Sequence, residues 1–300
     1  AQCNPNLPGS NVMDIRVPMT FQQRQLYSHF MDPGNINVKS AQFRYGVQMA
    51  YLRGICAAPK SCDYNYICTT DFNPKTVAIL ETIYKHISKG EQVIHVSARH
   101  GMTDEIEKRL GECGVKTSRI DGSVKDHALE AAKFKRGDTQ VLLMGINCAQ
   151  AHSFEQCRNL IVGSLEWSYG KFNQALGRIY RLTSPQDVNV YVILHKNSIE
   201  ELMFDKLGTK EDAATICLHG KRVPRDVNMV DAQEILAEHV TGWESLDKGI
   251  EVYEADNEEM WPQLRDRFLT ITHGKKLGIT KTDQDAVSAL IDEMNDYETA

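Results

Sequence analysis

From about Asn73 the chain alternates short apolar runs with longer stretches whose apolar positions recur every three or four residues. Gln92–Ser97, Thr139–Met144, Leu160–Gly163 and Val188–Leu194 read as buried strands, and Val115–Ile120 supplies one more. Helical spacing marks Thr103–Leu110, Lys125–Phe134, Lys171–Arg181 and Ser198–Leu207 between and after them. An earlier helix is predicted from Pro74, because proline is tolerated in a first turn where no amide partner is lost. Val77, Leu80, Ile83, Tyr84 and Ile87 form its apolar stripe, and Gly90 stops it. Apolar strands separated by amphipathic helices imply an α/β fold, a parallel sheet with helices on both faces.

The flanks read differently. Before residue 73 the pattern is mixed, with helices expected over Thr20–Phe30 and Gln42–Ile55 and a turn at Asp32-Pro33-Gly34-Asn35. After about Glu211 the alternation ends, and helices are expected near Val230–His239, Glu258–Thr270 and Ala286–Met294. The division is therefore a mostly helical segment at 1–72, an α/β lobe at 73–212 and an acidic helical tail at 213–300. A chain of 300 residues, 42% hydrophobic and 25% charged, has material for one full core with appendages. No apolar run approaches the ~20 residues of a membrane span, and no signal peptide is visible. The eight cysteines have no paired framework, which points to a reducing, intracellular compartment such as cytoplasm, nucleoid or nucleus. Cys56, Cys62 and Cys68 are evenly spaced, but no tight pair or fourth ligand accompanies them, so free thiols are expected rather than zinc.

A net charge of −6 argues against a protein that coats itself in nucleic acid, while leaving room for a local basic groove. Lys206, Lys210, Lys221, Arg222 and Arg225 form a basic stretch after the lobe, either a solvated connector or a contact surface. Glu251, Glu254, Asp256, Glu258 and Glu259 make the tail acidic. Gln174, Arg178 and Arg181 are offset by four and three, so on a helix they share one face. Two guanidinium groups on one turn suit a polyanion. In a parallel sheet the loops at the carboxyl ends of strands carry the chemistry. Ser97-Ala98-Arg99-His100-Gly101 is such a loop; its amides and Arg99 suit a phosphate, the other reading being a plain strand–helix turn. Gly145-Ile146-Asn147 opens a second, which continues to His152 and Ser153.

Gln174-Ala175-x-x-Arg178-x-x-Arg181, with Trp167 seven residues ahead, resembles motif VI of the Swi/Snf-type ATPases, DNA-translocating members of helicase superfamily two. Val93-Ile94-His95-Val96-Ser97 with Arg119-Ile120-Asp121-Gly122-Ser123 is similar to the family's first strand and its Asp-Gly-Ser element. Val190-Tyr191 with Ser198-Ile199-Glu200-Glu201 resembles its closing strand and helix. Val17-Pro18-Met19-Thr20 with Gln25 and Tyr27, then Leu52-Arg53-Gly54-Ile55-Cys56 and Pro59, is similar to the segment that links its two lobes. The match runs in order over residues 15 to 210.

The resemblance implies a RecA-like C-terminal motor lobe. Arg178 and Arg181 would act on the γ-phosphate of ATP, with Gln174 and Gly177 beside the nucleotide. Ser97, Arg99, Gly145, Ile146 and Asn147 would meet the backbone of double-stranded DNA. ATP and Mg2+ would be held mostly by a first RecA-like lobe of the same polypeptide, and the tail is a candidate surface for a protein partner. Neither Gly-x-x-x-x-Gly-Lys-Ser/Thr nor Asp-Glu-x-His occurs in the sequence, so the chain is expected to be a second lobe whose first lobe is missing, inactive alone. Two positions depart from the family: His152 stands where a glycine aligns, and Leu182-Thr183-Ser184 replaces a Gly-Gln pair. A strand-separating DNA or RNA helicase lobe and a non-catalytic interaction module are the alternatives. Trp167 and the Leu52–Pro59 element favour the translocase.

Overall fold

The computed structural model describes residues 10–38, 40–62, 73–148, 152–166, 174–175, 177–179, 187–205, 236–237, 239–240 and 260–276. Its strands are β1 (Ser10–Val17), β2 (Val93–Ser97), β3 (Thr117–Ile120), β4 (Val141–Gly145), β5 (Asn159–Val162) and β6 (Val188–His195). Its helices are α1 (Phe21–Met31), α2 (Ala41–Ala57), α3 (Pro74–Ile87), α4 (His100–Glu112), α5 (His127–Arg136) and α6 (Met260–Lys276), with a further helical run at 199–205. All neighbouring strands pair in parallel, in the order β1-β6-β5-β2-β4-β3.

Successive residues of a strand point to opposite faces, so each strand feeds two cores. Ile94, Val96, Leu142, Met144, Leu160 and Val162 face Phe134 of α5 and Phe154. Val93, Val141, Leu143, Ile161 and Ile193 face the apolar stripes of α3 and α4, and Leu264, Phe268 and Ile271 of α6 join that side. A RecA-like layer arrangement results, as the alternation of apolar runs predicts.

Local signals set most boundaries. Asn73 caps α3 by accepting from the Lys75 amide at 3.1 Å, with Pro74 in the first turn. Asp126 caps α5 through the Leu129 amide at 2.9 Å, and Gly137 ends it in the left-handed region at φ 81°. Thr20 caps α1 through the Gln23 amide at 3.1 Å. The expected turn at 32–35 is a short 3-10 helix, Pro33–Asn35, capped by Asp32.

Two elements differ from the sequence expectation. Ser10–Val17 is an edge strand aligned with β6 from Ser10↔Val188 to Val17↔His195. Val12 and Met13 on it are exposed, so no buried period advertises it, and its partner lies far along the chain. Within the expected helix 171–181, Gln174 and Ala175 are helical, whereas Gly177–Ile179 form a turn in which the Arg178 amide reaches the Ala175 carbonyl at 3.1 Å. Trp167, Lys171, Arg181, Leu182-Thr183-Ser184, Cys68 and the basic stretch from Lys206 to Arg225 lie outside the described residues, as does the expected helix at Ala286–Met294. Of Val230–His239, residues 236, 237 and 239 are described and helical.

A buried polar network ties the N-terminal helices to the lobe. Lys75 Nζ is 2.6 Å from Glu200 Oε1, both side chains withdrawn from water. Glu200 Oε2 accepts from the His195 amide at 3.1 Å. The His195 ring nitrogen Nε2 is 3.1 Å from both Gln23 Nε2 and Asn73 Oδ1. Gln23 donates to the Ile55 carbonyl at 2.9 Å, and Asn73 to that of Ala57 at 3.1 Å. Leu26, Tyr27, Leu52 and Ile55 pack with Ile199 around this junction.

Candidate nucleic-acid interface

β2, β4 and β3 are adjacent, so the segments leaving their carboxyl ends open at the same edge of the sheet. A cavity of about 180 Å³ lies there. Ser97, Arg99, Gly145, Ile146 and Asn147, the five residues expected to meet a nucleic-acid backbone, all line it, together with His100, Thr103 and Asp121.

Ser97 shapes the first loop. Its hydroxyl accepts from the Arg99 amide and donates to the Arg99 carbonyl, each at 3.0 Å. Ser164 holds the Ala98 amide at 3.2 Å. Arg99 is thereby the extended residue that enters α4, and its Nη2 donates to the Ala50 carbonyl of α2 at 3.1 Å. A guanidinium tethered by one nitrogen keeps other donors available to an oxyanion. The amides at the start of α4 add the positive end of a helix beside it. Next to Arg99 stands Arg53, which donates to the Leu165 carbonyl at 2.7 Å and pairs with Glu166 at 3.5 Å. Burial lowers the Arg53 pKa, and the neighbouring Arg99 charge adds to the effect.

The opposite wall is acidic but neutralised. Burial acts to raise the Asp121 pKa, yet hydrogen bonds from the Ser123 hydroxyl and amide and from Arg119 overcome it and hold the carboxyl at about 2. Arg119 Nη2 lies 2.6 Å from Asp121 Oδ2, and the Ser123 hydroxyl 2.5 Å from Oδ1. The His100 ring nitrogen Nδ1 is 3.3 Å from the same carboxylate. Asp121 therefore holds a turn rather than titrating. A Cβ on Gly145 would stand 3.2 Å from the Asp121 Cβ, so the β4 loop approaches this turn as closely as a glycine permits.

Gln174, Ala175, Gly177, Arg178 and Ile179 lie side by side, the first two helical and the last three in a turn, while Arg181 lies outside the described residues. Ala175 and Ile179 are buried anchors; Gln174 is exposed and Gly177 and Arg178 are half-buried between them. The Arg178 Nε donates to the Gln174 carbonyl at 3.1 Å, and its Nη1 to the His152 carbonyl at 3.4 Å. The Phe154 amide donates back to the Arg178 carbonyl at 2.8 Å. Gln174, Gly177 and Arg178 are neighbours in the structure; His100, within the expected loop, and Thr103 also line the cavity, though neither is among the expected contacts. Their position just after a strand end was the available signal.

Cys56, Cys62, Cys113, Cys148 and Cys157 are free thiols. Among the described residues no three His, Cys, Asp or Glu side chains converge as metal ligands. No helix among them is long and apolar enough to cross a membrane.

Residues 75–183 match the model of the helicase conserved C-terminal domain. That stretch is similar to a helicase C-terminal domain. The chain's fold is that of the crystal structure of the C-terminal part of the Fun30 ATPase domain, with a TM-score of 0.62 and 14% identity, covering 80% of this chain and 99% of that one. An uncharacterized ATP-dependent helicase of Mycoplasma pneumoniae is 25% identical over 240 residues, which are 75% of this chain and 22% of the relative. The helicase-like transcription factor CHR27 of Arabidopsis thaliana is 27% identical over 140 residues, 43% of this chain and 13% of the relative. These matches bear out the recognition of a helicase C-terminal, RecA-like lobe. The chain spans only about a fifth or less of the length of these curated relatives.

Proposed function

We propose that this chain is the second motor lobe of an ATP-dependent DNA translocase of Swi/Snf type. ATP is held chiefly by a first RecA-like lobe, with Arg178 and Arg181 completing the site from this side. Charge on the γ-phosphoryl oxygens grows toward the transition state, and fixed guanidinium groups stabilise it there. Arginines supplied in this way contribute on the order of 10³–10⁵ in rate. Gln174, whose carbonyl holds the Arg178 Nε, and Gly177 shape the turn that presents Arg178. In this reading magnesium would be held by donors of the first lobe.

Closure of the two lobes on nucleotide and their reopening would move the Ser97–Arg99 and Gly145–Asn147 loops along one strand of duplex DNA. The observation that carries this reading is the cavity itself. All five residues expected at a DNA backbone come from two separate loops and meet on its wall. In this reading the two loops meet the phosphate backbone rather than base edges, so binding should be indifferent to sequence. The tail remains a candidate surface for a protein partner.

Arg99→Ala tests the reading. Duplex DNA binding by this chain should weaken similarly on two unrelated sequences and show a shallower salt dependence, by about one phosphate contact. Arg99→Lys, which keeps the charge, should recover part of the loss. Sequence-selective or salt-insensitive binding by the unaltered chain would rule the DNA-backbone role out.

A further inference from the structure

His100 opens α4 and lines the loop cavity beside Arg99, with 65% of its side chain exposed. Its Nδ1 lies 3.3 Å from Oδ2 of Asp121, at the end of β3. Against the effect of burial, bonds from Ser123 and Arg119 hold the Asp121 carboxyl at about 2, so at ordinary pH it is an ionised acceptor. A carboxylate oxygen has no hydrogen to give, and the Nδ1 atom must therefore carry one and donate it. That bond sets the tautomer of the ring. It leaves Nε2 without a hydrogen-bond partner among the described residues, on a ring that belongs to the cavity wall.

Charged groups surround this ring from several elements. Arg99 precedes it in the chain, and Asp104 follows one turn later on α4. From β3 and its end come Arg119 and Asp121; Arg119 also holds Asp104 and Glu107, each at 2.7 Å. The His127 ring on α5 is 2.7 Å from the Asp121 carbonyl, and Cys148 lines the cavity beyond β4. Asp121, the carboxylate that fixes the imidazole, is itself paired with Arg119 at 2.6 Å, which offsets its charge at the wall.

We propose that His100 is a proton-linked phosphate contact of this cavity: its Nε2 takes a proton from solvent and donates it to a phosphate oxygen of the duplex DNA backbone. The proposal rests on the reading of the cavity as a DNA-backbone site. With Nε2 unprotonated, its lone pair repels an oxyanion; protonated, the same atom is a charge-assisted donor. The Nδ1 bond to Asp121 survives in both forms, so the ring changes charge while keeping its place. Imidazole is the side chain suited to this exchange between pH 5 and 8. Arg99 stays charged throughout that range and supplies a constant contact, while His100 supplies one that strengthens as pH falls.

The test is duplex DNA binding by the full 300-residue chain at pH 6 and pH 8, over a series of salt concentrations. Affinity should rise about three- to ten-fold from pH 8 to pH 6, within the limit of about tenfold per pH unit for one linked proton. The fall of log affinity with log salt should be steeper at pH 6 by about 0.9, the mark of one further neutralised phosphate. His100→Gln, at an exposed helix start, should remove both differences and leave binding at pH 8 close to that of the unaltered chain. The His100 ring signals in nuclear magnetic resonance, assigned by their loss in the variant, should titrate to a higher midpoint with DNA than without. A pH response and salt slope that survive His100→Gln, while Arg99→Ala still weakens binding, would overturn this inference alone. Equal losses in the variant at both pH values would overturn it too, by making His100 an uncharged contact. If the unaltered chain fails to bind duplex DNA even at low salt, the DNA-backbone reading of the cavity falls and this inference with it.

Discussion

His95 and His195 are fully buried, and burial followed by the nearby Lys75 charge holds each pKa down at about 3. His195 is fully engaged in the junction network, whereas neither ring nitrogen of His95 has a partner among the described residues. His95 is also tightly enclosed: a Cβ on Gly163 would lie 2.4 Å from its Nε2. Both rings stay neutral in the folded chain at any ordinary pH, while in the unfolded chain they titrate near 6.5. Below that value the unfolded state binds more protons, so stability is full above about pH 6.5 and is lost as pH falls toward 3. Between pH 7 and pH 5 each histidine should cost about 2 kcal/mol. Urea midpoints at the two pH values measure this, and His95→Gln should remove its share of the slope. A midpoint unchanged at pH 5 would show that these rings protonate in place.

At the scale of the element, α6 is a brace. Leu264, Phe268 and Ile271 enter the core that α3 and α4 share with the sheet. Phe268 meets Tyr84 edge to face at 5.3 Å, and the Arg267 guanidinium stands 4.6 Å over the Tyr84 ring. Arg109 of α4 covers Trp261 at 4.7 Å, and the Thr272 hydroxyl donates to the Cys113 carbonyl at 2.9 Å. Phe268→Ala should therefore destabilise the lobe by about 3–5 kcal/mol, as for a large aromatic cut from a closed core. Gln263→Ala, on the exposed side of the same helix, should change stability by less than about 0.5 kcal/mol. Equal effects in chemical denaturation would mean that α6 does not brace the lobe. The spacing of apolar residues announces a helix near Glu258–Thr270, but a stripe carries no address for the surface it covers. Ser10–Val17 illustrates the converse: with its edge open to water it needs no buried period, and only pairing with β6 makes it a strand.

For the whole molecule, the expected outcome is that this chain hydrolyses no ATP by itself, with or without duplex DNA. On the proposed reading Arg178 and Arg181 act on developing charge, but the sequence has no phosphate-cradling loop to orient the triphosphate. A DNA-stimulated phosphate-release assay checks this, and turnover that survives repurification would exclude the two-lobe reading. Alternating apolar runs and helical stripes determined the α/β class and the strands from β2 to β6, because periodicity is a local consequence of burial on two faces. Caps and breakers at Asn73-Pro74, Asp126 and Gly137 determined where helices start and stop, for equally local reasons. The residue types at Arg99 and Arg178 determined that a polyanion is the ligand class to consider. What only the tertiary structure decided are the contacts between distant segments. These are the β1–β6 edge, the seat of α6, the meeting of Ser97 with Asn147 on one cavity wall, and the pairing of His100 with Asp121. Such contacts follow from strand order and crossover, and a periodic pattern in one segment contains no information about which other segment will lie against it.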